Sequence, residues 1–401
     1  MLGPMSSARH AVSLLLMPEF AALRAVAPQA AVSKAARMAK DPASFARGAT
    51  GLVAAWLGRH HAEDGPWVWA VGDAHLGNIA LLATGPRHHE GRIPVTIDIA
   101  DVDDEHPAPW SWDLLRLGAS YAHAWPDLGG KNIAGLAALA ATTYAEHLQR
   151  LADGDRYAAI IDLNGLPEPL KRELIVLNRE AAPKRHLARH AITRKGILGL
   201  RRGELGADDP EAIAALRSAW EHQPNLPDHR WCDAVRRITD HGVSSRGRRR
   251  WLALIEEQGF YRLLELKEHP PSCLERVIGV TPFPPRSGPI LTVPMGGDPF
   301  QRLLTLAQGR VLVRTRCHAR VTLDPTACDD GDRRRAAHLH GQLLARFHWT
   351  GLQALTPDAS SLGQEVARAA RTQADRLGRH GVRLASHLTA CWRTFRTTTT
   401  P

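Results

Sequence analysis

Gly72-Asp73-Ala74-His75-Leu76-Gly77-Asn78 is the stretch that decides how this chain is read. It follows Trp67-Val68-Trp69-Ala70-Val71, a short β-rich run, so the aspartate stands just past a strand end. Asn78 comes five residues later, across a short loop. Phosphoryl transfer needs this pairing: a carboxylate orients and deprotonates an acceptor hydroxyl, and an amide oxygen helps to hold a metal ion on nucleotide phosphates. A second acidic run, Asp98-Ile99-Ala100-Asp101-Val102-Asp103-Asp104, closes the next β-rich stretch, Ile93 to Ile99. Mg²⁺ takes oxygen ligands, and an aspartate on such a strand end supplies one. Either run alone also reads as a solvated turn or a helix cap. Together, with the turn signal Thr84-Gly85-Pro86-Arg87 between them, they predict a strand-loop-strand unit over 67–100 that carries a site.

Outward from that unit the chain changes character several times. Residues 20–60 show Ala, Leu and Val at helical spacing, and Asp41-Pro42 can start a helix through a cap and a first-turn proline. Residues 111–225 read as helical, with a boundary near 222–230. Then come a strand, the loop Gly242-Val243-Ser244-Ser245-Arg246-Gly247, a second strand, a turn at Gln258-Gly259, and a third strand ending in Lys267. The segment 281–300 reads as loop, Arg310 to Leu323 as a further strand or hairpin, and the chain from Arg333 as helix. This predicts an α+β protein: a helical large lobe over 1–230 with the acidic motifs, a small antiparallel β lobe over 231–325, and C-terminal helices over 326–401 that pack on the large lobe.

Four stretches carry a family resemblance: Arg37 through Gly48, Gly72 through Asn78, Asp98 through Asp104 with Pro107 to Leu117, and Tyr261 to Leu274. Gly341 through His348 is a weaker fifth. On these the chain resembles the domain of unknown function 2252 family of bacterial proteins, which looks related to the protein-kinase-like and aminoglycoside-phosphotransferase-like fold. The resemblance implies a two-lobed kinase-like protein that binds ATP and Mg²⁺. Asp73 would be the catalytic base, Asn78 and Asp98 magnesium ligands, and Asp101 a rival or second ligand. Lys267 would pair with nucleotide phosphates under a loop shaped by Gly242, Ser244, Ser245 and Gly247. His75 would contact substrate or pack within its loop. The motif order is unusual, because in a kinase-like chain the glycine loop and lysine precede the catalytic loop. The order here implies a circular permutation, with Gln342 to His348 resembling the helix that normally comes just before that loop.

Departures from the family pattern are visible. Ser244 stands where a second glycine is usual, and Arg246, Arg248, Arg249 and Arg250 make the loop cationic, suited to phosphate or to another anion. Ser272-x-x-Glu275 reads as a capping box ahead of the alternative, a helix partner for Lys267. Asp113 reads as a carboxylate at its own helix start.

Composition bounds the rest. The chain has 401 residues, 44% hydrophobic and 23% charged, which excludes a wholly disordered chain, a collagen-like fibre and a multispan membrane protein. Its net charge of +10 suits an anionic partner. Five cysteines without a C-x-x-C pair, and no convincing signal peptide, point to a reducing cytoplasmic setting. The basic stretch 184–202 lacks interleaved aromatics, so a solvated helix face is expected there ahead of specific nucleic-acid binding. His338, His340 and His348 do not share a metal-binding spacing. The expected function is ATP γ-phosphoryl transfer to a hydroxyl of a small molecule or protein; the alternatives are a pseudokinase that binds nucleotide without turnover and, more weakly, a nucleic-acid-associated basic protein.

Overall fold

Short helices joined at prolines open the chain from Ala8 to His61, as the Ala/Leu/Val spacing requires. Asp41 caps the helix Pro42–Gly48, its carboxylate accepting from the Ser44 backbone N–H at 2.7 Å. The structure, a computed structural model, describes residues 7–82, 95–179, 187–194, 197–202, 207–237, 247–278, 298–316 and 320–399. Over these it is an α+β protein with small antiparallel sheets.

The strands are numbered along the chain. β1 (Trp67–Ala70), β2 (Ile79–Leu82), β3 (Thr96–Ile99) and β4 (His106–Pro109) flank the acidic motifs. β1 pairs with β4, and β2 pairs with β3. The single strand-loop-strand unit expected over 67–100 is therefore two separate pairings. Local sequence marks a strand, but partner choice is set by packing at longer range. The turn signal at 84–87 lies outside the described residues.

Helix continues through Ser111–Ala124, Gly130–Ala152, Glu168–Arg179 and Pro210–Glu221. It fails where it was expected at 191–200, which forms the hairpin β5 (Ala191–Arg194) and β6 (Ile197–Leu200). Ile192, Thr193 and Ile197 are β-branched and favour the pleated conformation. The basic stretch is thus not one helix face. Part of its charge is spent internally, because Arg202 forks onto Asp233 at 2.6 and 2.8 Å.

β7 (Arg230–Arg236), β8 (Arg250–Glu257), β9 (Phe260–Glu268), β10 (Arg302–Leu306) and β11 (Gly309–Thr315) form one antiparallel sheet in the order β10-β11-β9-β8-β7. Gln258 and Gly259 join β8 to β9, both at positive φ (52° and 79°), the geometry of a tight hairpin turn. Alternation sorts the β9 side chains. Leu264 and Leu266 join Trp220 of Pro210–Glu221, Trp231, Trp251 and Phe300 in one core. Leu263, Glu265 and Lys267 take the opposite face. β12 (Arg320–Thr322), within the stretch expected to form the β lobe, pairs with β2.

The largest core lies among the helices. Ala359–Thr399 packs on Gly130–Ala152 and on Ser111–Ala124, where Gly381 and Gly118 bring two backbones together: a Cβ on Gly381 would stand 3.1 Å from the Gly118 Cα. Asp330–Leu355 packs on Gly130–Ala152 and on β1, directly beneath the loop that follows β1. Among the described residues no helix is long and apolar enough to cross a membrane.

Candidate active site

The loop after β1 is pinned at its first residues. Gly72 has φ +83°, and a Cβ there would lie 2.1 Å from the Asp104 carbonyl oxygen. Glycine is needed both for the backbone shape and for the close approach. Asp113, fully buried, accepts from the backbone N–H of Val71 (2.7 Å) and of Gly72 (3.0 Å). His348 Nε2 lies 2.9 Å from the same carboxylate, and the Tyr144 hydroxyl lies 2.8 Å from His348 Nδ1. Asp113 was expected to satisfy its own helix start; its hydrogen bonds run instead to the backbone of the loop after β1 and to Asp330–Leu355. Gly72→Ala is expected to destabilise the fold by about 2–5 kcal/mol, from positive-φ strain plus the overlap with Asp104. A thermal melt that leaves the midpoint unchanged would contradict this.

Asp73 follows. Arg116, almost wholly buried, donates to its Oδ1 from Nε (3.1 Å) and Nη2 (2.8 Å). Its Oδ2 faces His75 Nε2 at 3.5 Å. Burial raises the Asp73 carboxyl above the ordinary aspartate range despite the opposing pull of Arg116. Burial, then Arg116 and Arg47, holds His75 well below the ordinary histidine value and hence neutral at pH 7.

Asn78 is held by its amide nitrogen, which donates to the carbonyls of Asp73 (3.3 Å) and Asp101 (2.5 Å). This leaves its Oδ1 buried, with no hydrogen-bond partner among the described residues; the same is true of Asp101 Oδ1. Burial opposes ionisation of Asp101, but Lys267, Arg314 and Arg320 outweigh it and hold the carboxyl well below the usual range. Both residues line a cavity of about 450 Å³ together with Asp73, His75, Asp103 and Asp104. Asp98 does not line it. Its Oδ1 accepts from the Ile99 N–H at 2.9 Å and stands 2.6 Å from Arg346 Nη2 of the helix Asp330–Leu355. Of the two aspartates, Asp101 shares the cavity lining with Asn78, whereas Asp98 is turned to Arg346.

Lys267 reaches the acidic run from the other sheet. Its Nζ pairs with Asp103 Oδ2, and Arg248 Nη1 lies 3.1 Å from the same oxygen. Burial lowers the Lys267 pKa to about 8, against the attraction of Asp101. Gly242, Ser244 and Ser245 lie outside the described residues. Gly247 has φ +83°, and a Cβ on it would stand 2.6 Å from Leu23 Cδ1, so this glycine packs against an N-terminal helix. The loop arginines that are described are engaged within the protein: Arg249 with Glu268 and Arg250 with Glu265, in addition to Arg248 with Asp103. Glu275 and Ser272 exchange hydrogen bonds as the expected capping box (3.3 and 3.0 Å).

His338, His340 and His348 bond to Thr143, Tyr121 and Tyr144 respectively. Among the described residues no group of three or more His, Cys, Asp or Glu is arranged to hold a metal. Arg116 and Asp103 were not singled out from the sequence. Nothing local distinguishes Arg116 from any arginine on an amphipathic helix, whereas Asp103 was visible as part of an acidic run.

Against known protein families, the model described as "Uncharacterized protein conserved in bacteria (DUF2252)" matches residues 24–398. The chain belongs to this family. No curated protein and no solved structure matches it. Membership covers nearly the whole chain, including the stretch from Arg37 to Gly48, the loop Gly72 to Asn78 and the Lys267 strand.

Proposed function

We propose that this DUF2252 chain transfers the γ-phosphoryl group of ATP to a hydroxyl, through a kinase-like site in circularly permuted order. The observation that carries the reading is the pair of buried oxygens, Asn78 Oδ1 and Asp101 Oδ1, left without hydrogen bonds beside Asp73 in one cavity, the second facing Arg314 Nη1 only at 3.9 Å. A buried polar atom without a partner is costly unless something else satisfies it. Two oxygen donors fit Mg²⁺, which keeps several waters and takes one or two protein ligands plus phosphate oxygens. The residues therefore suit the ion without an all-protein cage. When bound, Mg²⁺ neutralises charge on the β- and γ-phosphates.

The chain's own groups supply the remainder. Asp73 Oδ2 accepts the hydroxyl proton while Arg116 fixes Oδ1. The hydroxyl oxygen bonds to the γ-phosphorus, and the bond to the ADP oxygen breaks with its electron pair. Asp113 and Gly72 hold the loop that presents Asp73. Lys267, on the third strand of a sheet whose first two strands flank the glycine/serine loop, supplies a compact positive charge toward the phosphates.

A screen of the purified protein for ADP formation, with and without Mg²⁺ and with hydroxyl acceptors such as sugars and aminoglycosides, tests the reading. Binding is tested separately. At about a hundred times Kd, MgATP should stabilise the fold by about 2.7 kcal/mol. Lys267→Ala should lose most of that difference, read between ligand-bound and ligand-free samples of the same variant. No Mg²⁺-dependent shift in the parent protein would refute nucleotide binding. A shift without turnover on any acceptor would favour the pseudokinase reading, to which the engagement of both Lys267 and Arg248 by Asp103 lends support.

A further inference from the structure

We infer that the hydroxyl compound phosphorylated at this site already carries a phosphate monoester, bound by a cationic wall that lines the same cavity; the inference rests on the phosphotransferase reading above. The stretch Arg37 to Gly48 builds most of that wall. Arg37 and Lys40 are three residues apart on the helix Pro28–Lys40, and Ser44 and Arg47 are three apart on Pro42–Gly48. This spacing puts each pair on one face of its own helix. Arg320, the first residue of β12, completes the wall, and all five line the cavity that holds Asp73.

The four cations differ from their neighbours. Arg116, Arg248, Arg249, Arg250, Lys267 and Arg314 each lie within ion-pair distance of a carboxylate. Among the described residues no carboxylate lies within that distance of Arg37, Lys40, Arg47 or Arg320. Asp41, the nearest acid in sequence, is turned to its helix cap, accepting from both the backbone N–H and the hydroxyl of Ser44 (2.7 and 2.8 Å). Like charges gathered in one cavity repel, and an anion relieves that repulsion. The wall's field already reaches the site: Arg47 and Arg320 both act against protonation of His75.

Charge and geometry narrow the ligand. One forked arginine suffices for a carboxylate, whereas a phosphate monoester brings close to two negative charges and three acceptor oxygens. The nucleotide's own phosphates are assigned, in the proposed function, to Lys267, Asn78 and Asp101. A phosphorylated acceptor anchored on the wall would present a free hydroxyl toward Asp73. The hydroxyl proton passes to Asp73 Oδ2, its oxygen takes the γ-phosphoryl group, ADP leaves, and the anchoring phosphate is unchanged.

The test uses the full chain, with inorganic phosphate and MgATP as separate probes in thermal-shift titrations at matched ionic strength. The double variant Arg47→Ala/Arg320→Ala removes two exposed side chains, and its melting curve reports directly whether it folds. The expected result is phosphate binding weakened at least tenfold and MgATP binding changed less than twofold. Lys267→Ala should show the reverse pattern. Phosphate and MgATP binding falling together in the double variant would place the nucleotide on the wall, overturning the inference while sparing the phosphotransferase reading. Absence of phosphate binding to the parent protein would also overturn it. Phosphate binding on the wall with no MgATP binding at all would overturn the phosphotransferase reading, and the acceptor assignment with it.

Discussion

Asp73→Asn is expected to lower phosphoryl transfer by about 10²–10⁴-fold, the usual worth of a positioned general base, with little change in melting temperature. The amide is nearly the same size, and its oxygen can still accept from Arg116, whose guanidinium lies 2.8 and 3.1 Å from Asp73 Oδ1. What is lost is Oδ2, the proposed proton acceptor. Asp73→Ala is a poorer probe, because it would strand the buried Arg116 charge and confuse catalysis with folding. A variant Asp73→Asn with unchanged kcat would remove Asp73 from the reaction. One that loses MgATP binding as well as turnover would recast it as a binding residue.

Asp113→Ala should produce the largest loss of stability, about 3–5 kcal/mol, as expected when one member of a buried charged network is removed. The change would leave the N–H groups of Val71 and Gly72 without their acceptor and His348 without its carboxylate. Asp113→Asn keeps a single acceptor oxygen and should cost less. Amide hydrogen exchange separates this from a general loss of packing: protection at Val71 and Gly72 should fall first and furthest. Uniform loss of protection along the chain, with those two amides no worse than the rest, would refute the pinning role.

What the sequence made legible was local. The Gln258-Gly259 turn, the Ser272/Glu275 box and the helix start at Asp41-Pro42 each depend on neighbours within a few residues, and each was found where it was expected. The family was legible too, because its motifs run along nearly the whole chain. Pairings between distant segments were not. β1 and β4 find each other across the strands between them in sequence, and β12, which follows all five strands of the large sheet in the chain, returns to pair with β2. That Asp98 pairs with Arg346 while Asp101 lines the cavity was not readable locally, because Arg346 stands on a helix far along the chain. Asp113 was visible as a carboxylate at a helix start, but the N–H groups that donate to it lie about forty residues earlier in the chain. The segment 191–200 was misread because helical composition on both sides masked a short β-branched hairpin.

The long helix Ala359–Thr399 has a consequence for the order of synthesis. Its chief partners, Ser111–Ala124 and Gly130–Ala152, leave the ribosome long before it does, as do the N-terminal helices that also touch it. Until it arrives, the places filled by Val366, Ala370, Leu377, Leu384, Leu388 and Phe395 stand open to water. The five-stranded sheet, built wholly from residues 230–315, can pair its strands as soon as that segment emerges. A nascent chain therefore holds a finished sheet beside an unfinished helical core, and during that interval the core's apolar surface is available to chaperones or to other unfinished chains.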